Sequence, residues 1–405
     1  MKKNNLEQLK RSVSENLFEC IIPFWLEHSV DNRRGGFFGR IRCDLSKDIN
    51  APKSLILISR ILWTFSALYK FKPDEKYLEI ARRAYHYLTD YLIDTQYGGA
   101  YWLLDANGLV IDNMKKMYGQ AFLIYSLSEY YSVARDEEII GHAIRTFELI
   151  EKHNYDPEFG GYFEVSNRDW SVAEDMRLSA VDMNEKKSMN THLHLLEAYT
   201  NLYRYWQDDL LKVRLKNLIE DFLEHIIDRE TYHFKLFFNE CWQPKSAGVS
   251  FGHDIEGSWL LDEAARVIGD EESVDRIGNV SRRMVDAIIA EAVNEDGALY
   301  LERNSDCKIV KDPIYWWAQA EAVVGFFYIY QLTKERKYLD FVHKIWGFID
   351  NYLTDRQYGE WYYEVFADGR PNLDRWKVSE WKGPYHNCRA CLEILKRVDA
   401  IRKEK

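Results

Sequence analysis

The chain has no apolar run approaching the ~18 residues needed to cross a bilayer as a helix. That points away from a membrane partner. It has no basic block either: 54 Lys and Arg face 65 Asp and Glu, a net charge of −11, a poor match for nucleic acid or an anionic lipid surface. The start, Met1-Lys2-Lys3-Asn4-Asn5-Leu6-Glu7, has no apolar stretch of the secretory kind, so the expected location is cytoplasmic. Cysteine is scarce and scattered, at 20, 43, 241, 307, 388 and 391, and reads as reduced thiol. Cys388-Arg389-Ala390-Cys391 has CxxC spacing without a second such pair, so helix packing is the better reading than a redox or metal site. Proline is rare, with 8 residues, and with glycine sparse outside turns no interdomain linker is visible. One domain over 1–405 is expected.

Aromatic residues are abundant. The chain is 46% hydrophobic and 15% aromatic, with 13 Trp and 27 Tyr, ample for a packed core and incompatible with disorder. Many of these aromatics follow short acidic or glycine turns: Asp31 to Phe38, Asp94 to Trp102, Asp156 to Phe163, Asp296 to Tyr300 and Asp355 to Tyr362. A degenerate version, Asp228 to Phe234, fills the gap, making six copies about 62 residues apart. Each copy reads as a turn followed by a short aromatic strand. The intervening segments, such as 59–69, 77–88, 119–127 and 138–147, carry apolar residues at i, i+3 and i+4 and read as helices. Six helix pairs with this aromatic load favour a closed ring over an open solenoid. The expected fold is therefore all-α: an (α/α)6 barrel with short β-hairpin-like strands at one end.

Three histidine segments stand at corresponding points of different repeats, at or near inner-helix starts: Lys187 to Ala198, with Asn190 and His194 at i, i+4; Ser250 to Leu261, with His253 and Glu256 at i, i+3; and Trp381 to Arg389, with His386 after a Pro-Tyr turn. A closed ring brings such points to its axis. His192, His194, His253 and Glu256 could in number ligate zinc, but no HExxH or paired CxxC accompanies them, so no metal is expected. Arg60 interrupts an apolar helix, and a buried guanidinium needs an anionic or polyhydroxyl partner. Trp316-Trp317-Ala318-Gln319-Ala320-Glu321 sets two indoles and a carboxylate at one helix start. Indole faces suit pyranose C–H faces, and carboxylates take hydroxyls.

At these residues the sequence resembles the N-acylglucosamine 2-epimerase superfamily, and within it the branch that epimerises cellobiose. The matching strings are Ser59 to Phe65, Tyr118 to Phe122, Met189 to Ala198, Phe251 to Glu256, Trp316 to Glu321 and Trp381 to His386. The resemblance implies an (α/α)6 barrel and C2 epimerisation of the reducing-end sugar of β-1,4-linked disaccharides, cellobiose or lactose, without metal or nicotinamide cofactor. It implies His253 and His386 as the acid/base pair. It sets His194, Asn190, Arg60, Tyr118, Asp182 and Glu256 around the reacting ring, and Trp316 or Trp317 and Trp381 against the sugars.

The chemistry agrees with these residue types. Inverting C2 means removing a proton from one face and returning one to the other, which two imidazoles on opposite sides can do near neutral pH. Arg60 would stabilise the enediolate, Glu256 would orient His253, and His194 would serve as ring-opening acid. Competing readings are an aldose–ketose isomerase or an N-acylglucosamine 2-epimerase on the same fold, an inverting glycoside hydrolase built on Glu256 with Glu321 or Asp182, and a sugar-binding protein without catalysis. The partner expected is a small sugar, and the protein itself a monomer or homodimer.

Overall fold

The computed structural model describes residues 2–403. Its helices are α1 (Lys2–Glu15), α2 (Ile22–His28), α3 (Leu55–Phe71), α4 (Glu75–Tyr87), α5 (Met117–Ala134), α6 (Glu137–His153), α7 (Met189–Tyr203), α8 (Asp209–Asp221), α9 (Phe251–Ile268), α10 (Glu271–Glu291), α11 (Trp316–Thr333), α12 (Arg336–Phe348) and α13 (Tyr385–Lys403). The odd-numbered helices α3 to α13 pack side by side, and α13 returns to α3, closing an inner ring. They are buried nearly all round, whereas the outer helices α4, α6, α8, α10 and α12 bury one apolar face each. The first outer position belongs to α1, which packs on α13. This is an (α/α)6 barrel.

The six sequence turns are six antiparallel bridges, from Val30 with Phe37 to Thr354 with Trp361, including Ile227 with Phe234 in the degenerate copy. Short hairpin-like strands are present at this end, as expected. Short hairpins follow three of the turns, Arg40–Ile41 with Lys47–Asp48, Leu103–Leu104 with Val110–Asp112 and Glu302–Arg303 with Ile309–Val310, and further pairing runs between repeats. The strand before one inner helix pairs with the strand after the next turn: Lys53 opposite Leu104, Lys115 opposite Ser166, Lys187 opposite Phe238, Val249 opposite Arg303, Ile314 opposite Val365. Ile41 bridges Val378 and completes the circle. These stitches lie at the N-terminal ends of the inner helices and fix where those ends sit.

A polar clasp holds each of four turns to its inner helix. The fourth helical residue receives the backbone N–H of the bridging residue: Gln120 from Ala100 (2.9 Å), His192 from Tyr162 (2.9 Å), Asp254 from Phe234 (2.8 Å) and Gln319 from Leu299 (2.8 Å). The turn glycines permit this approach. At Gly161, φ is +73° and a Cβ would stand 2.7 Å from His192 Nε2. Four turns also carry a buried Lys–Asp pair, Lys53–Asp31 (2.9 Å), Lys115–Asp94 (3.0 Å), Lys187–Asp156 (2.7 Å) and Lys377–Asp355. Lys187→Met strands a buried carboxylate and is expected to destabilise the fold by about 3–5 kcal/mol, measured by urea unfolding.

Candidate active site

The inner-helix N-termini bring the predicted residues together through direct contacts. His253, at the start of α9, and His386, at the start of α13, both pack on the indole of Trp317, at ring-centroid distances of 4.7 and 5.7 Å. His194 lies 4.8 Å from the Tyr118 ring, and Tyr118 lies 5.9 Å from Trp381. Trp316 meets His386 at 6.4 Å. A cavity of about 500 Å³ opens beside this group, with His253, Asn190 and Asp182 in its wall. Asn190 Oδ1 has no hydrogen-bond partner among the described residues. Asp182 is the outermost predicted residue, held in its loop by the N–H and hydroxyl of Ser179 (2.8 and 2.7 Å).

Arg60 is 4% exposed and forms no ion pair among the described residues. Its guanidinium donates to the Tyr118 hydroxyl (2.9 Å) and the Trp381 carbonyl, and lies 4.7 Å from the Phe122 ring centroid. Nε has no partner. A buried cation held only by neutral groups keeps its full field for an incoming anion.

Beneath the imidazoles lies a carboxylate cluster around Arg389, which is 2% exposed. Arg389 Nη2 donates to Glu256 Oε1 (2.6 Å) and Glu321 Oε1 (2.7 Å), and Nη1 meets Glu197 Oε1 and the Tyr385 hydroxyl. Glu321 Oε1 also meets His386 Nδ1 (2.7 Å), and Glu197 Oε2 meets His194 Nδ1 (3.0 Å). This revises two expected roles. Glu256 turns to Arg389, and Ser250 Oγ holds His253 Nδ1 instead (2.7 Å). An ionised Glu197 only accepts, so His194 Nδ1 carries the hydrogen and Nε2 is left as a proton acceptor rather than an acid.

Electrostatics follow from burial and these partners. Burial drives the His253 pKa down to about 3, and burial with Arg60 and Arg389 drives that of His386 well below the usual imidazole value. Burial likewise lowers His194, opposed by Glu197. At Glu197 burial acts upward, but Arg389 and His194 outweigh it and hold the carboxyl down near 2. Burial, with Glu321 alongside, raises Glu256 well above its ordinary value, and burial raises Glu321. A buried cluster of this kind approaches neutrality with Glu197 charged against Arg389, Glu256 protonated, and one proton shared by Glu321 and His386.

Glu256, Glu321 and His386 offer ligand atoms within 4.8 Å of one another, a spacing that would suit a metal ion. The Arg389 guanidinium already supplies the cation there, bonded to both carboxylates. The zinc set weighed from sequence is not gathered, because His192 is engaged at Nδ1 with the Ser188 carbonyl (2.6 Å) and at Nε2 with Tyr162. Cys388 and Cys391 are buried free thiols, and burial raises both pKa values.

Sequence reasoning missed Arg389, Glu197, Tyr385 and Ser250. Glu197 follows His194, and Arg389 follows His386, by three residues, and both polar groups recur on otherwise buried helix turns. That spacing was the available signal.

Indole platforms, a row of imidazoles and an unpaired guanidinium at the mouth of an (α/α)6 barrel define a carbohydrate-active enzyme. Comparison with known proteins narrows the class. The profile of the N-acylglucosamine 2-epimerase (GlcNAc 2-epimerase) family matches residues 36–390. The cellobiose 2-epimerase of Bacteroides fragilis is 44% identical over 96% of this chain and 99% of its own, and that of Dictyoglomus turgidum 38% identical over 97% and 100%. The solved cellobiose 2-epimerase of Bacillus thermoamylovorans superposes with a TM-score of 0.92 at 39% identity, covering 96% of this chain and all of that one. The chain belongs to the N-acylglucosamine 2-epimerase family.

Proposed function

We propose that the protein is a cytoplasmic cellobiose 2-epimerase, its whole chain one catalytic unit, interconverting glucose and mannose at the reducing end of β-1,4-linked disaccharides such as cellobiose and lactose. The observation that carries this reading is the meeting of His253 and His386, 133 residues apart in sequence, on one indole. The similarity to curated cellobiose 2-epimerases supports the substrate class.

His194 Nε2 takes the anomeric hydroxyl proton as the C1–O5 bond breaks, and the same proton passes to O5, which carries away the bond's electron pair, leaving the open aldehyde. One imidazole then accepts the C2 proton. The C2–H electron pair forms the C1–C2 double bond, and negative charge develops on O1 beside Arg60. The other imidazole returns a proton to the opposite face. The His386–Glu321 pair holds such a proton at rest, while neutral His253 is free to accept, and the roles exchange in the reverse direction. No electrons are gained or lost, so proton transfer alone balances the reaction. Trp316, Trp317 and Trp381 support the sugar faces; Tyr118, Asn190 and Asp182 supply polar contacts.

Both imidazoles stay neutral well into acid. The acid limb of kcat/KM is therefore expected below the ~6.5 of a free imidazole. A pH–rate profile with that limb at or above this value would contradict the burial argument.

Proton NMR of cellobiose incubated with the protein in heavy water tests the function. The expected result is loss of the C2 proton signal with growth of glucosyl-mannose. Ketose would identify an isomerase, and free glucose a hydrolase.

A further inference from the structure

The cluster below the imidazoles has a single cationic centre. Arg389 reaches carboxylates from three other inner helices, Glu197 on α7, Glu256 on α9 and Glu321 on α11, and the Tyr385 hydroxyl on its own helix. Its ring-side neighbours are Trp259 at 4.9 Å and Tyr385 at 4.3 Å. One carboxylate oxygen, Glu321 Oε1, serves both Arg389 and His386 Nδ1. Glu197 serves both Arg389 and His194. The guanidinium thus sits one carboxylate away from two of the three site imidazoles.

We propose that Arg389 is a positioning residue for epimerisation: by gripping Glu197, Glu256 and Glu321 together it sets the orientation and the proton inventory of His386 through Glu321, and the tautomer of His194 through Glu197. The proposal rests on the epimerase reading above. The planar fork matters because a guanidinium can serve several carboxylates at fixed angles, whereas an ammonium is a point charge. Charge matters as well. The groups facing His386 are Arg60 from α3, His194 and Glu197 from α7, Glu256 from α9, Glu321 from α11, and Tyr385 and Arg389 from α13. Of these, Arg60, Arg389 and His194 favour the neutral imidazole, and Glu197 favours the charged one.

The test is a pH–rate series on cellobiose and on glucosyl-mannose for wild type, Arg389→Lys, Arg389→Met and Glu197→Gln, with thermal unfolding and sugar binding of each. Arg389→Lys keeps the charge and loses the fork. It is expected to bind sugar within about threefold of wild type, to lose about 100-fold in kcat, and to keep the acid limb in place. Arg389→Met removes the charge, so in the direction where His386 is the base the acid limb moves up by about one pH unit. Glu197→Gln removes an opposing charge, so the same limb moves down. Opposite displacements by two neighbouring variants are beyond a structural role, which would lower the melting temperature and the active fraction while leaving the limb fixed.

Should Arg389→Met fail to fold, Arg389→Lys and Glu197→Gln decide between them. Folded variants with wild-type kcat and an unmoved limb overturn the Arg389 proposal and leave the epimerase reading standing, as do Arg389→Met and Glu197→Gln proteins that lose activity with no displacement of the limb. A folded wild-type protein that leaves both disaccharides unchanged overturns the epimerase reading and this proposal with it.

Discussion

Replacing His253 or His386 by asparagine is expected to lower kcat for C2 epimerisation by about 10³-fold or more while leaving sugar binding within a few-fold. Positioned acid–base groups contribute about 10²–10⁴-fold each, and inversion needs one group on each face of C2, so the second histidine cannot stand in for the first. Asparagine fills similar space and keeps a polar atom. Ser250 retains a partner at position 253, and Glu321 at position 386, where histidine meets them now at 2.7 Å each. Fold and binding should therefore survive, and the loss should fall on kcat alone. Steady-state kinetics by chromatography of the two epimers, with thermal unfolding alongside, measures this. Retention of more than a tenth of wild-type kcat in either variant would remove that residue from the pair.

Arg60→Met is expected to lower kcat by about 10²–10³-fold, the range seen when one preorganised oxyanion donor is lost, and at the same time to leave stability unchanged or raise it. The two halves of this prediction have one cause. Arg60 is buried against Tyr118, Trp381 and Phe122 with no carboxylate partner among the described residues, so its charge is carried by neutral groups. Replacing a buried charge by an apolar side chain of similar length is often neutral or stabilising by about 1–4 kcal/mol, whereas the enediolate needs that charge. Thermal unfolding and epimerase assays on one preparation read both. A variant that loses activity together with several degrees of melting temperature would make Arg60 a structural residue.

Much of the architecture was legible because the repeat repeats its chemistry. Six turns spaced by about 62 residues identified six helix pairs, and even the degenerate Asp228 copy forms its bridge, Ile227 with Phe234. The same regularity concealed other things. Gln120, His192, Asp254 and Gln319 stand in the motifs that carried the resemblance, yet they clasp turns, and only their shared position, four residues into an inner helix, distinguishes them from site residues. The stitching of one repeat to the next was not legible, because two-residue strands carry almost no periodic signal. Arg389 was passed over for a related reason. An arginine in a C-terminal helix reads as a solvated charge until the ring closes and places three carboxylates from distant segments around it. The partners of His253 and His386 were likewise decided by side-chain direction, which sequence spacing alone does not fix.

The central claim is that the two imidazoles work on opposite faces of C2. Deuterium exchange at C2 tests it directly, with His253→Asn and His386→Asn each incubated in heavy water with cellobiose and, separately, with glucosyl-mannose. Each variant retains one base, so one is expected to exchange the C2 proton of cellobiose alone and the other that of glucosyl-mannose alone, neither converting one sugar into the other. Exchange by both variants with the same epimer would put the two imidazoles on one face and contradict the account.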